Sequence, residues 1–168
     1  MKLLGAAVVL ASSALFGAIL VKTRKKELSL LKQWCLILER IGGDLRLTAR
    51  PIPEILKRIT ISDGQEAEQF IHEICMRYEQ EDKSFSEIWT EGVKNGFPEM
   101  NERDREILLE LGALLGRADL SQQLKTVDQC REQLREHYEQ LSRQYQSEQK
   151  LVFGVPTALG ALVAILLF

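Results

Sequence analysis

Two long runs without a charged residue, one near each end, constrain this sequence more than any other feature. The first run, LLGAAVVLASSALFGAILV, covers residues 3–21, and the second, LVFGVPTALGALVAILLF, covers residues 151–168. A helix needs about 20 apolar residues, with a range of about 17–25, to cross the hydrocarbon core of a bilayer. Each run is therefore long enough for one short span. We therefore predict transmembrane helices at residues 1–21 and 151–168, on either side of a domain formed by residues 22–150.

Each run has an alternative interpretation. The first could be a cleaved signal peptide, because Lys2 precedes it and small residues end it, but no clean Ala-x-Ala site follows. The basic cluster KTRKK, at residues 22–26, follows the run directly, as it would in an uncleaved anchor. The second run could be a buried core helix, but the lack of any polar face favours a membrane helix. Pro156 and Gly160 are tolerated in such a helix.

The distribution of basic residues predicts an orientation. The KTRKK cluster follows the first run, and Arg143 and Lys150 precede the second, whereas Lys2 lies on the opposite flank. Because positively charged flanks stay on the cytoplasmic side, we expect the middle domain to face the cytoplasm. The net charge of -2 provides no basic footprint for nucleic acid.

The middle domain has the apolar periodicity of helices and no strand-like alternation. We predict an all-α fold, a helical bundle of about five to six helices flanked by the two transmembrane helices. The first helix continues to Ile41, and Gly42-Gly43 allows a break or kink after it. A short helix follows from Pro53 to near Ile59. The predicted core residues are Phe70, Ile74, Ile88, Trp89, Leu108, Leu111, Leu124, Leu134 and Tyr138.

Polar residues mark the starts of the later helices. Asp63 or Gly64 lies in a turn before the third helix, and Ser84 has the character of an N-cap. Asn101 is a second N-cap, with Asp104 placed to reach back to it as in a capping box. Asp119 is expected to cap the last and longest helix, which continues into the second span.

That last helix carries a repeat of 3.5 residues, the spacing of a coiled coil. Successive positions lie four and three residues apart, and the charged Arg131 is the one departure. The predicted seam is Leu120, Leu124, Val127, Arg131, Leu134, Tyr138, Leu141 and Tyr145.

Two glycines lie four residues apart before this helix, within LLELGALLGRADLSQQLKTV (residues 108–127). Each should weaken a helix interior by roughly 0.5–1 kcal/mol relative to alanine. A Gly-x-x-x-Gly strip lets a neighbouring backbone approach closely, whereas a glycine near a helix end can form an αL cap. We predict close packing at Gly112 and a turn at Gly116, with Leu115 beside them and Asp119 beyond.

Residues for catalysis or metal binding are sparse. Neither His72 nor His137 has the Glu-x-x-His spacing of di-iron bundles. Cys35, Cys75 and Cys130 form no CxxC pair and no disulfide framework, which suits a reducing compartment. A zinc site would require His72, Cys75, Cys130 and His137 to converge. We expect no cofactor and no enzymatic activity, and keep a membrane-anchored metal protein as a weak alternative.

Several motifs resemble the stage III sporulation protein AB family of endospore-forming Firmicutes, and the likeness covers essentially the whole chain. They include the start MKLLGA, the basic stretch after the first run and SFSEIWTEGV. The most specific is a block of Leu-x-x-x-Gly-x-x-Leu-Gly followed by Asp and Gln-Gln. Its places are filled here by Gly112, Leu115, Gly116, Asp119, Gln122 and Gln123. Pro156 departs from the family's second span, which is richer in plain Leu and Ile.

That family is similar to the soluble domains of the inner-membrane platform protein of type II secretion and type IV pilus systems. The resemblance implies a non-enzymatic platform in the channel-like complex between mother cell and forespore. Its location would be the mother-cell membrane around the forespore. Implied partners are a secretion-type ATPase, stage III sporulation protein AA, and other membrane proteins of the complex.

A self-assembling homo-oligomeric scaffold without ATPase contact is the alternative, based on the heptad seam. Two surfaces are candidates for partner binding. One is the acidic loop with Glu79, Glu81 and Asp82, and the other is the polar face of residues 128–150.

Overall fold

The structure is a computed structural model that describes residues 2–48, 50–59, 65–114 and 119–167, with side chains for 22–48, 50–59, 65–113 and 119–147. Every regular element in these ranges is a helix, which confirms the predicted all-α bundle. The helices are α1 (Lys2–Thr48), α2 (Ile52–Leu56), α3 (Glu66–Gln80), α4 (Phe85–Gly96), α5 (Glu102–Leu114) and α6 (Leu120–Leu167).

The chain divides into two compact units. The terminal unit comprises Met1–Leu28 and Glu139–Phe168, and the bundle unit comprises Ser29–Tyr138. Helices α1 and α6 contribute residues to both units, whereas α2 to α5 belong to the bundle unit alone.

Among the described residues, no helix is sufficiently long and apolar to cross a bilayer. The predicted spans, residues 1–21 and 151–168, lie on α1 and α6. Their side chains fall outside those described, so both spans stay predictions.

An aromatic cluster forms the centre of the bundle unit. Trp34 of α1 makes edge-to-face contacts with Phe70 of α3 and Trp89 of α4, with ring centroids 5.8 and 5.9 Å apart. Phe97, directly after α4, packs against Phe70 at 4.9 Å. Edge-to-face pairs of this kind add to the stabilisation that comes from burying apolar area. The cluster thereby joins α1 to the consecutive helices α3 and α4.

Helix α1 does not break at Gly42-Gly43, as the sequence had allowed. It continues to Thr48, because Ile41 and Leu45 on either side of the glycines are buried at 0 and 1 % exposure. This burial offsets the weak helix propensity of the glycines. Helix α2 begins beside Pro51 and ends at Leu56, earlier than the predicted end near Ile59.

Side-chain caps are present at three of the predicted helix starts, Ser84, Asn101 and Asp119. Ser84 forms a reciprocal capping box with Glu87, in which each side chain accepts a bond from the other residue's backbone N–H. Asn101 Oδ1 accepts a bond from Arg103 N at 3.0 Å. Asp63 and Gly64 lie outside the described residues.

Helix α6 buries a heptad that is rotated from the predicted one. Its buried or nearly buried positions are Val127, Cys130, Leu134, His137 and Leu141, which are again three and four residues apart. Leu124, Arg131 and Tyr138 lie at the edge of this stripe and are only half-buried. The predicted core positions Leu124 and Tyr138 are therefore only partly buried, and Arg131 does not interrupt the buried stripe.

Candidate functional site

Gly112 makes the closest packing contact of the block that carries the family resemblance. A Cβ atom added to Gly112 would lie 2.7 Å from Trp89 Nε1 and 2.8 Å from Trp89 Cγ. Trp89 is fully buried, and its Nε1–H donates a hydrogen bond to the Leu108 carbonyl oxygen at 2.7 Å. The indole ring of Trp89 on α4 thus packs directly against α5 at Gly112. We had predicted that a neighbouring backbone would approach this glycine, but the close neighbour is a side chain.

The remaining residues of this block divide between described and undescribed positions. Asp119 Oδ1 accepts bonds from Gln122 N and Ser121 Oγ, both at 2.8 Å, as expected of an N-cap residue of α6. These bonds hold the pKa of the Asp119 carboxyl below its ordinary value. Leu115 and Gly116 lie outside the described residues, so the turn at Gly116 stays a prediction.

Most of the predicted core residues are buried. Seven of the nine are buried, and the exceptions are the Leu124 and Tyr138 positions of α6. The buried ones are Phe70, Ile74, Ile88, Trp89, Leu108, Leu111 and Leu134. A second close-packed glycine, Gly92 on α4, would place a Cβ 2.5 Å from Ile74 Cδ1. We did not predict it, although its position one turn after Ile88 was a usable signal.

The acidic loop is largely neutralised by ion pairs within the chain. Glu79 Oε1 lies 2.6 Å from Lys57 Nζ, and the hydrogen bond from this lysine lowers the pKa of the Glu79 carboxyl. Glu81 accepts from Arg77 at 2.7 Å and from Lys83 at 3.2 Å, and these bonds lower the Glu81 pKa. Asp82 is exposed. Two of the three predicted contact residues therefore already serve intramolecular pairs.

A buried acid–histidine pair joins α5 to α6 and was missed from the sequence. Asp104 is completely buried, and its two carboxylate oxygens lie 2.9 and 2.8 Å from His137 Nδ1. Nearby, Cys130 Sγ donates to the Ile107 carbonyl oxygen at 3.7 Å. Cys130 and His137 of α6 thus each have a partner on α5, which explains why they can occupy buried heptad positions.

The thiols have the properties of structural rather than reactive cysteines. Burial raises the pKa of Cys35 and Cys75 to about 11 and that of Cys130 to about 12. A thiol with so high a pKa is protonated near neutral pH and is a poor nucleophile. The histidines do not join them: His72 is exposed, and no group of three or more His, Cys, Asp or Glu suited to a metal ion occurs among the described residues.

Comparison with known proteins identifies one family. The family model described as stage III sporulation protein AB matches residues 2–168. Neither the search of curated proteins nor the search of solved structures found a match. The match includes the Trp89–Gly112 contact, the Asp104–His137 pair and both terminal helices. This chain therefore belongs to the stage III sporulation protein AB family.

Proposed function

We propose that this sporulation protein is a non-enzymatic, membrane-anchored platform subunit of the channel-like complex between mother cell and forespore. In this proposal it docks the secretion-type ATPase, stage III sporulation protein AA. The observation that carries the proposal is membership of the family over residues 2–168. Supporting it, the described residues form a helical bundle whose buried side chains serve packing and ion pairing.

Membrane attachment is supported by the position of the uncharged runs. They occupy the start of α1 and the end of α6, the two helices that also enter the bundle unit. A tilt of the bundle would then be transmitted to the membrane through continuous helices. The basic residues at 22–26 favour a bundle that faces the cytoplasm of the mother cell, where an ATPase has access to it.

The alternative of a self-assembling scaffold loses its main support. It was based on a free heptad seam along the last helix, but Val127 and Leu134 are 0 % exposed within a single chain. Residues already buried within the chain are not available to form a coiled coil with another copy. The half-buried edge at Leu124 and Tyr138 is too narrow to replace that seam.

Binding of the ATPase to the full chain in nanodiscs tests the proposal directly. We expect saturable binding that depends on whether ATP or ADP is present, because a platform must respond to the state of its motor. Empty nanodiscs provide the control. A well-folded chain that binds no ATPase in any nucleotide state would contradict the docking function.

The membrane part of the proposal has its own test. Sporulating cells would be fractionated, and the membranes would be washed with alkaline carbonate. We expect the chain to remain in the membrane pellet and its middle domain to be degraded by protease added from the cytoplasmic face. Release by carbonate would contradict the membrane anchor without affecting the docking test.

A further inference from the structure

A surface at the junction of α1 and α2 combines an exposed apolar side chain with positive charge. An open groove of about 470 Å³ is formed there by Arg40, Gly43, Asp44, Leu47, Ile55, Arg58 and Ile59. Leu47 is 84 % exposed, far more than any other large apolar residue with a described side chain. Single exposed leucines are common, but this one stands on the wall of a concave site, beside the partly buried Ile59.

The groove lies in the most basic stretch of the bundle unit. Residues 40–58 contain five basic and two acidic residues, although the chain as a whole has a net charge of -2. Arg46 and Lys57 at this end are paired, with Asp128 and Glu79 respectively. Arg50 and Arg58 are exposed, and within the described part of the chain neither has an ion pair. Arg58 therefore brings to the groove of Leu47 a positive charge that has no ion pair among the described residues.

Arg40, on the groove wall, is only weakly held within the chain. Its Nη1 lies 3.4 Å from Glu68 Oε1, at the long end of ion-pair distances, and its side chain is 56 % exposed. An incoming carboxylate could therefore approach this guanidinium without breaking a strong bond.

We propose that this α1–α2 groove is the docking site for an acidic segment of the partner ATPase that carries at least one large apolar side chain. This inference rests on the platform function proposed above. The apolar side chain would pack on Leu47 and Ile59, and carboxylates would pair with Arg58 and Arg40. The exposed arginines of the groove select an acidic segment by charge complementarity, and the acidic loop of a second copy is a poor candidate because Glu79 and Glu81 are already paired.

The test uses the full chain in nanodiscs of neutral lipid and the purified ATPase, with binding measured by biolayer interferometry. Leu47→Asp and Arg58→Glu are the groove variants. Leu36→Asp and Arg103→Glu are the matched controls, because both residues are exposed and lie outside the groove. All four positions are on the surface, so each variant should keep the wild-type circular dichroism spectrum and melting temperature.

We expect each groove variant to weaken ATPase binding by about tenfold or more, the loss typical of a central contact, and each control to change it less than about twofold. Wild-type binding should also weaken between about 50 and 300 mM salt, since exposed charges are screened. If the wild type binds the ATPase and the groove variants bind it equally well, the groove assignment is wrong and the platform function stands. Absence of wild-type binding would overturn both.

Two other results would also refute the assignment. In the first, light scattering would show that the wild type forms an oligomer and that Leu47→Asp does not, while ATPase binding stays intact. A second copy of the chain would then occupy the groove. In the second, the wild-type chain in nanodiscs would bind anionic vesicles and the Arg58→Glu variant would not, again with ATPase binding intact. The groove would then bind a lipid surface instead.

Discussion

Gly112→Ala tests the packing of the bundle unit, because the added methyl group would overlap the closely packed ring of Trp89. The new Cβ would lie 2.7 Å from Trp89 Nε1 and 2.8 Å from Trp89 Cγ, where real Cβ atoms are essentially never found. Trp89 is held by the rings of Phe70 and Phe85, with centroids 5.5 and 5.9 Å away. It is also held by its 2.7 Å hydrogen bond to the Leu108 carbonyl oxygen.

The expected loss of stability follows from these contacts. Overpacking a buried site typically lowers the free energy of unfolding by about 1–3 kcal/mol. A ring shift that relieved the clash would stretch the Trp89–Leu108 bond, and a buried polar group left unpaired costs about 1–3 kcal/mol. Alanine recovers roughly 0.5–1 kcal/mol through its better helix propensity. Since the ring shift replaces one loss by the other, only one of them applies, and after the helix-propensity gain we expect a net loss of about 1–2 kcal/mol.

Urea unfolding of the full chain in mild detergent, followed by tryptophan fluorescence, measures this loss. The chain has two tryptophans, and both Trp34 and Trp89 are 0 % exposed in the folded state. Gly43→Ala is the matched control, because a Cβ at Gly43 on α1 would meet no atom within 4 Å. We expect that control to raise the free energy of unfolding by roughly 0.5–1 kcal/mol. A Gly112→Ala variant as stable as the wild type would refute the argument.

Three further predictions use the same preparation. Asp104→Asn removes the charge that faces His137 and should lower the free energy of unfolding by about 1–3 kcal/mol; an unchanged urea midpoint would contradict this. Ser84→Ala removes the capping box of α4 and should lower the free energy of unfolding by about 0.5–2 kcal/mol, again measured by urea unfolding. Burial raises the pKa of Cys130 from 9.0 to about 12, so iodoacetamide at about pH 8 should label it far more slowly in the folded chain than in urea. Because the folded-state pKa is the higher one, the protonated Cys130 thiol favours folding fully below about pH 9, and this contribution is lost as the pH rises towards 12. The fall in stability over that window should be smaller in Cys130→Ala, and equal slopes would show that the thiol is not buried.

Local signals in the sequence were sufficient for the helices and for three of their starts. Apolar spacing of three and four depends on neighbours within one turn, so the all-α fold was predictable without tertiary information. The caps at Ser84 and Asp119 are likewise set by residues within three positions. The continuation of α1 through Gly42-Gly43 was not predictable in this way, because it depends on contacts with distant segments. Val127 of α6, for example, would lie 3.6 Å from a Cβ at Gly42.

The candidate surface depends on pairings that no local pattern reveals. Glu79 and Asp82 are equally acidic in the sequence, yet Glu79 is paired with Lys57, which directly follows α2 and lies more than 20 residues earlier. The fold decides which charges are internally compensated. For that reason we proposed the groove beside Leu47, and not the acidic loop, as the docking surface.

The register of α6 shows how one charged residue could have corrected the prediction. Val127 and Leu134 fit both heptads, and the choice lies between Leu124, Arg131 and Tyr138 on one side and Cys130 and His137 on the other. By apolar area alone the first set is favoured, because burying a leucine contributes about 1.5–3 kcal/mol. Burying Arg131 without a partner would cost several kcal/mol and cancel that gain. Cys130 and His137 can be satisfied once α5 supplies a carbonyl and a carboxylate. The penalty for a buried charge outweighs the gain from one extra apolar side chain, so Arg131 marks the edge of the buried face rather than a defect within it.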